Sequence, residues 1–369
     1  MRLETFESKY GDFFVPTSVI RVGGQDIVRE LFLTVTSVSV ELKLNAAARF
    51  SFTITSAFDW EKHEFLGGEG LDRVDLLKLF KFGSSVEVAI GYGKPGGLRP
   101  IIGGIITEIG TSFAEAATPN LVVSGYDSLF ALGLGASTRQ WIDKPRSYAA
   151  AAVAEKNGLR SQITAKDKKV DRIDQCKESD FAFIEKMAKL AESIFYVREG
   201  TLHFGPARKT ANAAIELVWG EGLSSFAPSA NLAGQFSEVH LHGRAAVKGE
   251  DVVGIARQSD TKGVDGDASS ALKHVDEAIP QPRILSVSAA IHTKQEADDR
   301  AKAILEKHAQ KFVTADGECV GLPELAPDMR IAVSGVGEAF SKPYYVAEAV
   351  HSLDAKGYRT KFKVERPAI

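Results

Sequence analysis

Thr36-Ser-Val-Ser-Val-Glu-Leu-Lys-Leu44 alternates strictly. Val38, Val40, Leu42 and Leu44 fall on one face, and Ser37, Ser39, Glu41 and Lys43 on the other. A period of two marks a strand with one dry and one wet face. Beyond Asn45-Ala46 the alternation resumes at Phe50, Phe52 and Ile54, which predicts a hairpin. Further outward, Val86-Glu-Val-Ala-Ile90, Ile101 to Ile109 and Asn120-Leu-Val-Val-Ser-Gly125 read as strands, and Gly93-Lys-Pro-Gly-Gly97 as the punctuation between two of them. Short strands separated in this way predict an antiparallel barrel or sandwich over residues 1–138.

The middle of the chain changes character. Ser147-Tyr-Ala-Ala-Ala-Ala-Val-Ala-Glu-Lys-Asn157-Gly158 reads as a helix with an N-cap serine and an Asn-Gly stop. Ser179 opens a second helix, in which Phe181, Ile184, Met187, Ala188 and Ala191 make one buried stripe. A hairpin follows over Ile194–Phe204, turning at Glu199-Gly200. Residues 139–212 therefore form a small α+β module between two β regions.

Strand patterning returns at Ala214–Val218 and Ser237–Leu241. Residues 248–283 carry five basic and seven acidic side chains and few large apolar ones, and read as a polar, solvated insertion. Thr293-Lys-Gln-Glu296 is a capping box opening a helix to about Lys311, with Ala297, Ala301, Ile304 and Leu305 inward. The last 50 residues are strands. They echo the first region: Phe82–Gly91 matches Leu325–Ser334, Ile101–Ile109 matches Tyr344–Leu353, and Leu121–Tyr126 matches Arg359–Glu365.

Composition narrows the function classes. The 369 residues hold 45 basic and 48 acidic side chains, a net charge of −3, without the basic excess of a nucleic-acid binder. No apolar run approaches the roughly 20 residues of a membrane helix, and Met1–Phe14 lacks the apolar core of a secretory signal. Cys176 and Cys319 are too few for a disulfide framework or a zinc cage.

Chemistry is sparse. Glu238, His240 and His242 share one face of a strand, a spacing open to a metal but simplest as a polar strand face. Asp298 and Asp299 diverge by about 100° on a helix, so they serve as first-turn acids rather than as a catalytic pair. Gly91-Tyr-Gly-Lys-Pro-Gly96 fits a dinucleotide fingerprint literally, yet a strand follows instead of a helix, so it reads as a turn. Gly103-Gly104, inside an apolar strand, predicts a bulge or a close backbone approach. Neither cysteine sits beside an activating group. Trp60, Trp141 and Trp219 read as core or interface anchors. No catalytic constellation, cofactor site or metal site is expected.

Residues 58–66 and 71–81 form an excursion between strands of the first β region. Trp60, Phe65, Leu71, Val74, Leu77 and Phe80 give it an apolar side. It either plugs its own barrel or forms an exposed ridge that docks on a partner.

Three stretches resemble the late control protein D family, the baseplate hub of contractile phage tails, which is related to the N-terminal hub part of VgrG spike proteins. They are Val38–Ile54, the pair Ser179–Ala188 with Phe195–Gly205, and the helix at 293–311 with the closing strands. The resemblance implies a mainly β chain with an α+β insertion, in which 1–138 and 213–369 are two similar antiparallel β-barrels and 139–212 is a helix–hairpin module. It also implies a homotrimer whose six barrels match a sixfold tail tube, or tube-initiator protein, to a threefold central spike beside other baseplate proteins. Such a chain is made in the bacterial cytoplasm and assembled into a virion or injection particle. Ending at Pro367-Ala-Ile369, it leaves no room for a VgrG needle, so the spike is either a separate chain or a missing C-terminal part.

Two other readings predict different behaviour. A cell-wall-acting carbohydrate hydrolase needs two carboxylates facing across a cleft, about 5–9 Å apart. A small-ligand-binding β-barrel needs a pocket. Both predict a monomer.

Overall fold

A computed structural model describes residues 3–369 apart from 12, 69–72, 114, 116–117, 210, 245–250, 258–259, 261–270, 279–280, 290 and 292. The chain divides into two compact units. Unit 1 comprises Met1–Ala207, Glu318–Asp328 and Glu348–Phe362; unit 2 comprises Arg208–Gly317, Met329–Ala347 and Lys363–Ile369. The division thus differs from three consecutive segments: the helix–hairpin module shares a unit with the first β region, and two C-terminal segments return to it.

Unit 1 opens with α1 (Leu3–Tyr10), β1 (Pro16–Val22), β2 (Gln25–Asp26) and the hairpin β3 (Val35–Lys43) and β4 (Arg49–Ile54). The excursion carries β5 (Leu66–Gly67), β6 (Val74–Asp75) and α2 (Leu76–Leu79). It leads to β7 (Ser85–Tyr92), β8 (Ile102–Ser112) and β9 (Asn120–Tyr126). These strands lie in the order β2-β1-β7-β8-β9-β4-β3. Residues 348–353 add to β3, with Glu348 opposite Lys43 and Leu353 opposite Val38. Val38, Val40, Phe50, Phe52 and Ile54 are all buried, as their alternation requires. Gly104 is a close approach: a Cβ there would lie 2.1 Å from the Tyr126 carbonyl oxygen, and a bulge follows between Ile106 and Glu108.

The module in the same unit runs α3 (Leu129–Leu132), β10 (Ser137–Pro145), α4 (Arg146–Lys156), β11 (Arg160–Ile163), β12 (Lys169–Glu178), α5 (Asp180–Leu190), β13 (Ile194–Arg198) and β14 (Thr201–Gly205). Phe183, Ile184 and Met187 of α5 pack with Ala149, Val153, Phe195 and Phe204, and Trp141 stacks on Phe183 at 5.0 Å. Ser179 caps α5, its Oγ accepting from the Ala182 N–H at 3.1 Å. Glu199 and Gly200 both take positive φ (49° and 68°), which matches the twist of a two-residue hairpin. Ser147, in contrast, is not a cap. Pro145 holds that position, and Ser147 lies buried in the first turn with its N–H donated to Asp167 at 3.1 Å.

Unit 2 contains β15 (Ile215–Trp219), β16 (Gly222–Ala230), β17 (Glu238–Arg244), β18 (Asp251–Arg257), α6 (Ala271–Ala278), β19 (Ile284–Ser288) and α7 (Lys294–Ala309). The C-terminal strands continue through β20 (Val313–Val320), β21 (Arg330–Ser334), β22 (Pro343–Asp354) and β23 (Gly357–Arg366), of which residues 318–320, 348–354 and 357–362 count with unit 1. Strands β22-β21-β15-β16-β20-β23 form a six-membered ring, closed because β23 also pairs with β22. The ring is not wholly antiparallel: β15 runs parallel to both β21 and β16.

The polar insertion also needs correcting where it is described. Residues 251–257 are a strand antiparallel to β17, and 271–278 are a helix; 248–250, 258–259, 261–270 and 279–280 lie outside the described residues. The misreading has a physical cause, because β18 turns its small residues inward. Gly254 and Ala256 are buried, and a Cβ on Gly254 would meet the Ala297 carbonyl at 2.2 Å, so α7 seats directly on the strand. Val253 and Ile255 face out. Helix α7 itself begins as expected, with the Thr293 hydroxyl accepting from the Glu296 N–H at 3.1 Å.

Candidate interaction surface

In the excursion, Asp59 sets the geometry. Its Oδ1 accepts from the Glu61 and Lys62 N–H groups at 3.0 Å each, and its N–H donates to Glu64 at 2.8 Å. Arg73 ion-pairs with the same carboxylate. The Lys62 and then the Glu61 N–H, with Arg73 alongside, hold Asp59 below the usual carboxylate range. This clamp tightens 59–64 and turns Trp60 outward, leaving it 58% exposed.

Behind Trp60, Phe58 is the hub of an aromatic cluster. Its ring meets Trp60 and Phe65 at 5.2 Å and Phe113 at 5.4 Å, all edge-on. Phe113, between β8 and β9, is also exposed.

The six candidate residues separate. Trp60 and Leu77 are exposed, Phe65 and Val74 are half-buried, and Leu71 lies outside the described residues. Phe80 is fully buried and packs edge-on against Phe52 at 5.8 Å, so it is withdrawn as a docking residue. Periodicity went astray because the helix starts late. Asp75 caps it by accepting from the Leu77 and Lys78 N–H groups at 3.1 Å, and the inward pair becomes Leu76 and Phe80 at i, i+4. The plug of the sequence reading is thus present at Leu76 and Phe80, while Trp60 and Phe113, joined through Phe58, form an exposed aromatic ridge and Leu77 is exposed by itself. Sequence reading missed Phe58 and Phe113; neighbouring aromatics were the available signal for Phe58.

The other candidate groups are structural. Glu238 accepts from Arg257 and pairs with His240, both at 2.9 Å, and these bonds, His240 first, hold its pKa below the usual range. No group of three or more His, Cys, Asp or Glu side chains among the described residues could hold a metal. Asp298 accepts from Lys294 at 2.7 Å and from the Ile255 N–H at 3.1 Å, binding α7 to β18. Cys319 is fully buried, and burial pushes its thiol up. Residues 91–96 form a turn from β7 with no α-helix behind it.

A polar centre unforeseen in sequence lies at Asp180. It accepts from Arg139 at 2.7 and 3.2 Å, Gln175 at 2.7 Å and Asn157 at 2.8 Å. Burial raises this carboxyl, but the three donors, Arg139 foremost, outweigh it and hold it low. The network ties α5 to β10, β12 and the end of α4.

The architecture is thus a mainly β chain with a closed six-stranded barrel and an α+β module. By family, a profile described as the Alg8 N-terminal domain spans residues 14–355, and the chain belongs to that family. Among solved structures it is similar to a 43 kDa tail protein of prophage MuSo2 from Shewanella oneidensis. The TM-score is 0.72 at 16% identity, over 95% of this chain and 98% of that one. A tail protein from Neisseria meningitidis MC58 is similar at TM-score 0.69 and 15% identity, over 96% and 97% of the two chains. A type VI secretion component of E. coli, itself described as similar to T4 tail proteins, follows at 0.56 and 10% identity, over 94% and 76%. No curated protein sequence matches. No helix among the described residues is long and apolar enough to cross a membrane.

Proposed function

We propose that the chain is a structural, non-enzymatic baseplate hub: a homotrimeric adapter between a sixfold tail tube and a threefold central spike in a contractile phage tail or injection particle. The carrying observation is the duplicated strand order. Strands β1, β3, β4, β7, β8 and β9 of the first β region and β15, β16, β20, β21, β22 and β23 of the C-terminal barrel follow one connection pattern. Three copies of a chain with two like modules present six, the number a sixfold ring needs, while keeping the threefold symmetry of a spike. Likeness of fold to a prophage tail protein and to a second bacterial tail protein over nearly the whole chain supports the same reading. The aromatic ridge at Trp60 and Phe113 is the surface offered to other baseplate chains, since exposed aromatics of this kind favour burial on assembly.

Light scattering on the purified chain, alone and with a candidate spike protein, tests this. A particle of three times 39.8 kDa, alone or with the spike's added mass, is expected. A chain that stays monomeric with every tail partner overturns the reading.

A further inference from the structure

Asn157-Gly158 closes α4, and the hub reading makes no use of it. The chain has asparagines at 45, 120, 157, 212 and 231, and only Asn157 precedes a glycine. That pair carries a reaction of its own. Glycine has no Cβ to obstruct its nitrogen, so this nitrogen can reach the preceding side-chain amide and close a cyclic imide.

In the folded chain both reacting groups are engaged. Asn157 Nδ2 donates to the Val153 carbonyl and to Asp180 Oδ2, at 2.8 Å each. The Gly158 N–H donates to the Glu155 carbonyl at 3.0 Å, with Gly158 at φ 80° just past the helix end. Next in the chain, Leu159 is buried and pins the turn, its N–H donating to the Ala154 carbonyl at 3.1 Å. Asn157 and Gly158 are themselves exposed, so water has access to them.

Asp180 gives the site its consequence. It is 7% exposed and takes Asn157 as one of three side-chain donors, beside Arg139 and Gln175. An ionised acid at 157 has no N–H to give. Its oxygens would face two acceptors, the Val153 carbonyl and the Asp180 carboxylate, and neighbouring carboxylates repel.

We infer that Asn157 is a latent deamidation site, gated by its bonds to Asp180 and Val153. When the turn opens, the Gly158 nitrogen gives its proton to solvent base and attacks Asn157 Cγ. The N–Cγ bond forms, the Cγ–Nδ2 bond breaks and ammonia leaves. Water then opens the imide at either carbonyl, giving aspartate or its β-linked isomer, with no oxidation or reduction. Both products lack the donor to Asp180, so a transient opening of α4 against α5 becomes permanent. The reaction needs one chain only and is independent of any trimer.

Peptide mapping by mass spectrometry tests this on the full chain at mildly alkaline pH, with the other four asparagines as references. In guanidinium chloride, Asn157 should convert faster than any of them. In buffer it should convert at least about tenfold more slowly than in denaturant, the size of one charge-assisted hydrogen bond. Asp180→Ala should remove most of that protection in buffer. Hydrogen exchange reads the same coupling from the other side and needs no Asp180 variant. Asn157→Asp should speed exchange over residues 146–156 and 180–190 more than Asn157→Ala does. The assignment is overturned if Asn157 is not the fastest in denaturant, or if it converts equally fast in buffer. Protection that survives in a folded Asp180→Ala chain, or an Asn157→Asp no looser than Asn157→Ala, would also overturn it.

Discussion

Numbered one to six along the chain, the strands β1, β3, β4, β7, β8 and β9 of unit 1 lie in the order 1-4-5-6-3-2. So do β15, β16, β20, β21, β22 and β23 of the C-terminal barrel. The two sets differ at one seam. In unit 2 strands one and two are paired, Val218 with Gly222 and Trp219 with Leu223, and the ring closes through its own main chain. In unit 1 strands one and two are unpaired. The segment after β2 fills the gap instead: the Ile27 N–H donates to the Ile20 carbonyl at 3.0 Å, and Ile27 and Leu33 are buried in the core. Arg29 then reaches the Ser18 carbonyl at 3.1 Å and the Thr17 hydroxyl at 3.1 Å, covering an edge that would otherwise be open to another strand. A barrel closed by its ladder satisfies itself, whereas an open one depends on insertions, and unit 1 carries both the 25–33 segment and the excursion.

The largest effect should come from the plug. Phe80→Ala leaves a cavity against Phe52 and should cost about 3–5 kcal/mol of stability. Hydrogen exchange should show the lost protection in unit 1 strands while unit 2 strands keep theirs. Equal loss in both units would mean that the excursion does not hold the open barrel in particular.

Acid should act on unit 1 through two opposed groups. His351 is fully buried, its Nε2–H donating to the Leu325 carbonyl at 3.0 Å and its Nδ1 accepting from the Tyr358 hydroxyl at 2.9 Å. Burial lowers it to about 4 from 6.5, so the unfolded chain takes up that proton first, and stability falls as pH drops from 6.5 towards 4. Asp127 is raised from 3.8 to about 7, so its contribution has the opposite sign: stability rises as pH falls from 7 towards 4. Each is worth about 3–4 kcal/mol at full extent. His351→Gln should therefore gain stability on acidification over that window, and Asp127→Asn should lose it. Urea midpoints from pH 7 to 4 read the two slopes, and slopes of the same sign would refute the assignment.

Arg29→Ala should cost less, about 1–3 kcal/mol, by leaving the Ser18 carbonyl without its donor. Its more telling effect is concentration-dependent association through the uncovered β1 edge, visible by light scattering. Smallest is Trp60→Ala, within about 0.5 kcal/mol for the isolated chain because the side chain is exposed. The same variant should assemble poorly with tail partners if the ridge is an interface; normal assembly would remove Trp60 from it.

The echo of Phe82–Gly91, Ile101–Ile109 and Leu121–Tyr126 in the C-terminal strands was legible because strands four to six of each set keep a period of two. The caps at Ser179 and Thr293 were legible because side chain and N–H lie three residues apart. What escaped reading rests on distant partners. Asp180 finds Arg139 41 positions away, and the start of α4 is satisfied by Asp167 rather than by its own serine. The β10–β12 ribbon alternates weakly because charged residues such as Lys144 and Arg172 occupy its exposed positions. In the candidate surface, the aromatic residues were visible but their sides were not, since one late helix start at Leu76 exchanges the buried and exposed faces.

In the proposed hub, two copies of one strand pattern serve as two of six places in a ring. Electron-microscopy averages of the assembled complex, viewed along its axis, test it most directly. Six barrel-sized densities at similar radius are expected, alternating between two kinds and repeating every third of a turn. Three densities, or six at two clearly different radii, would contradict it.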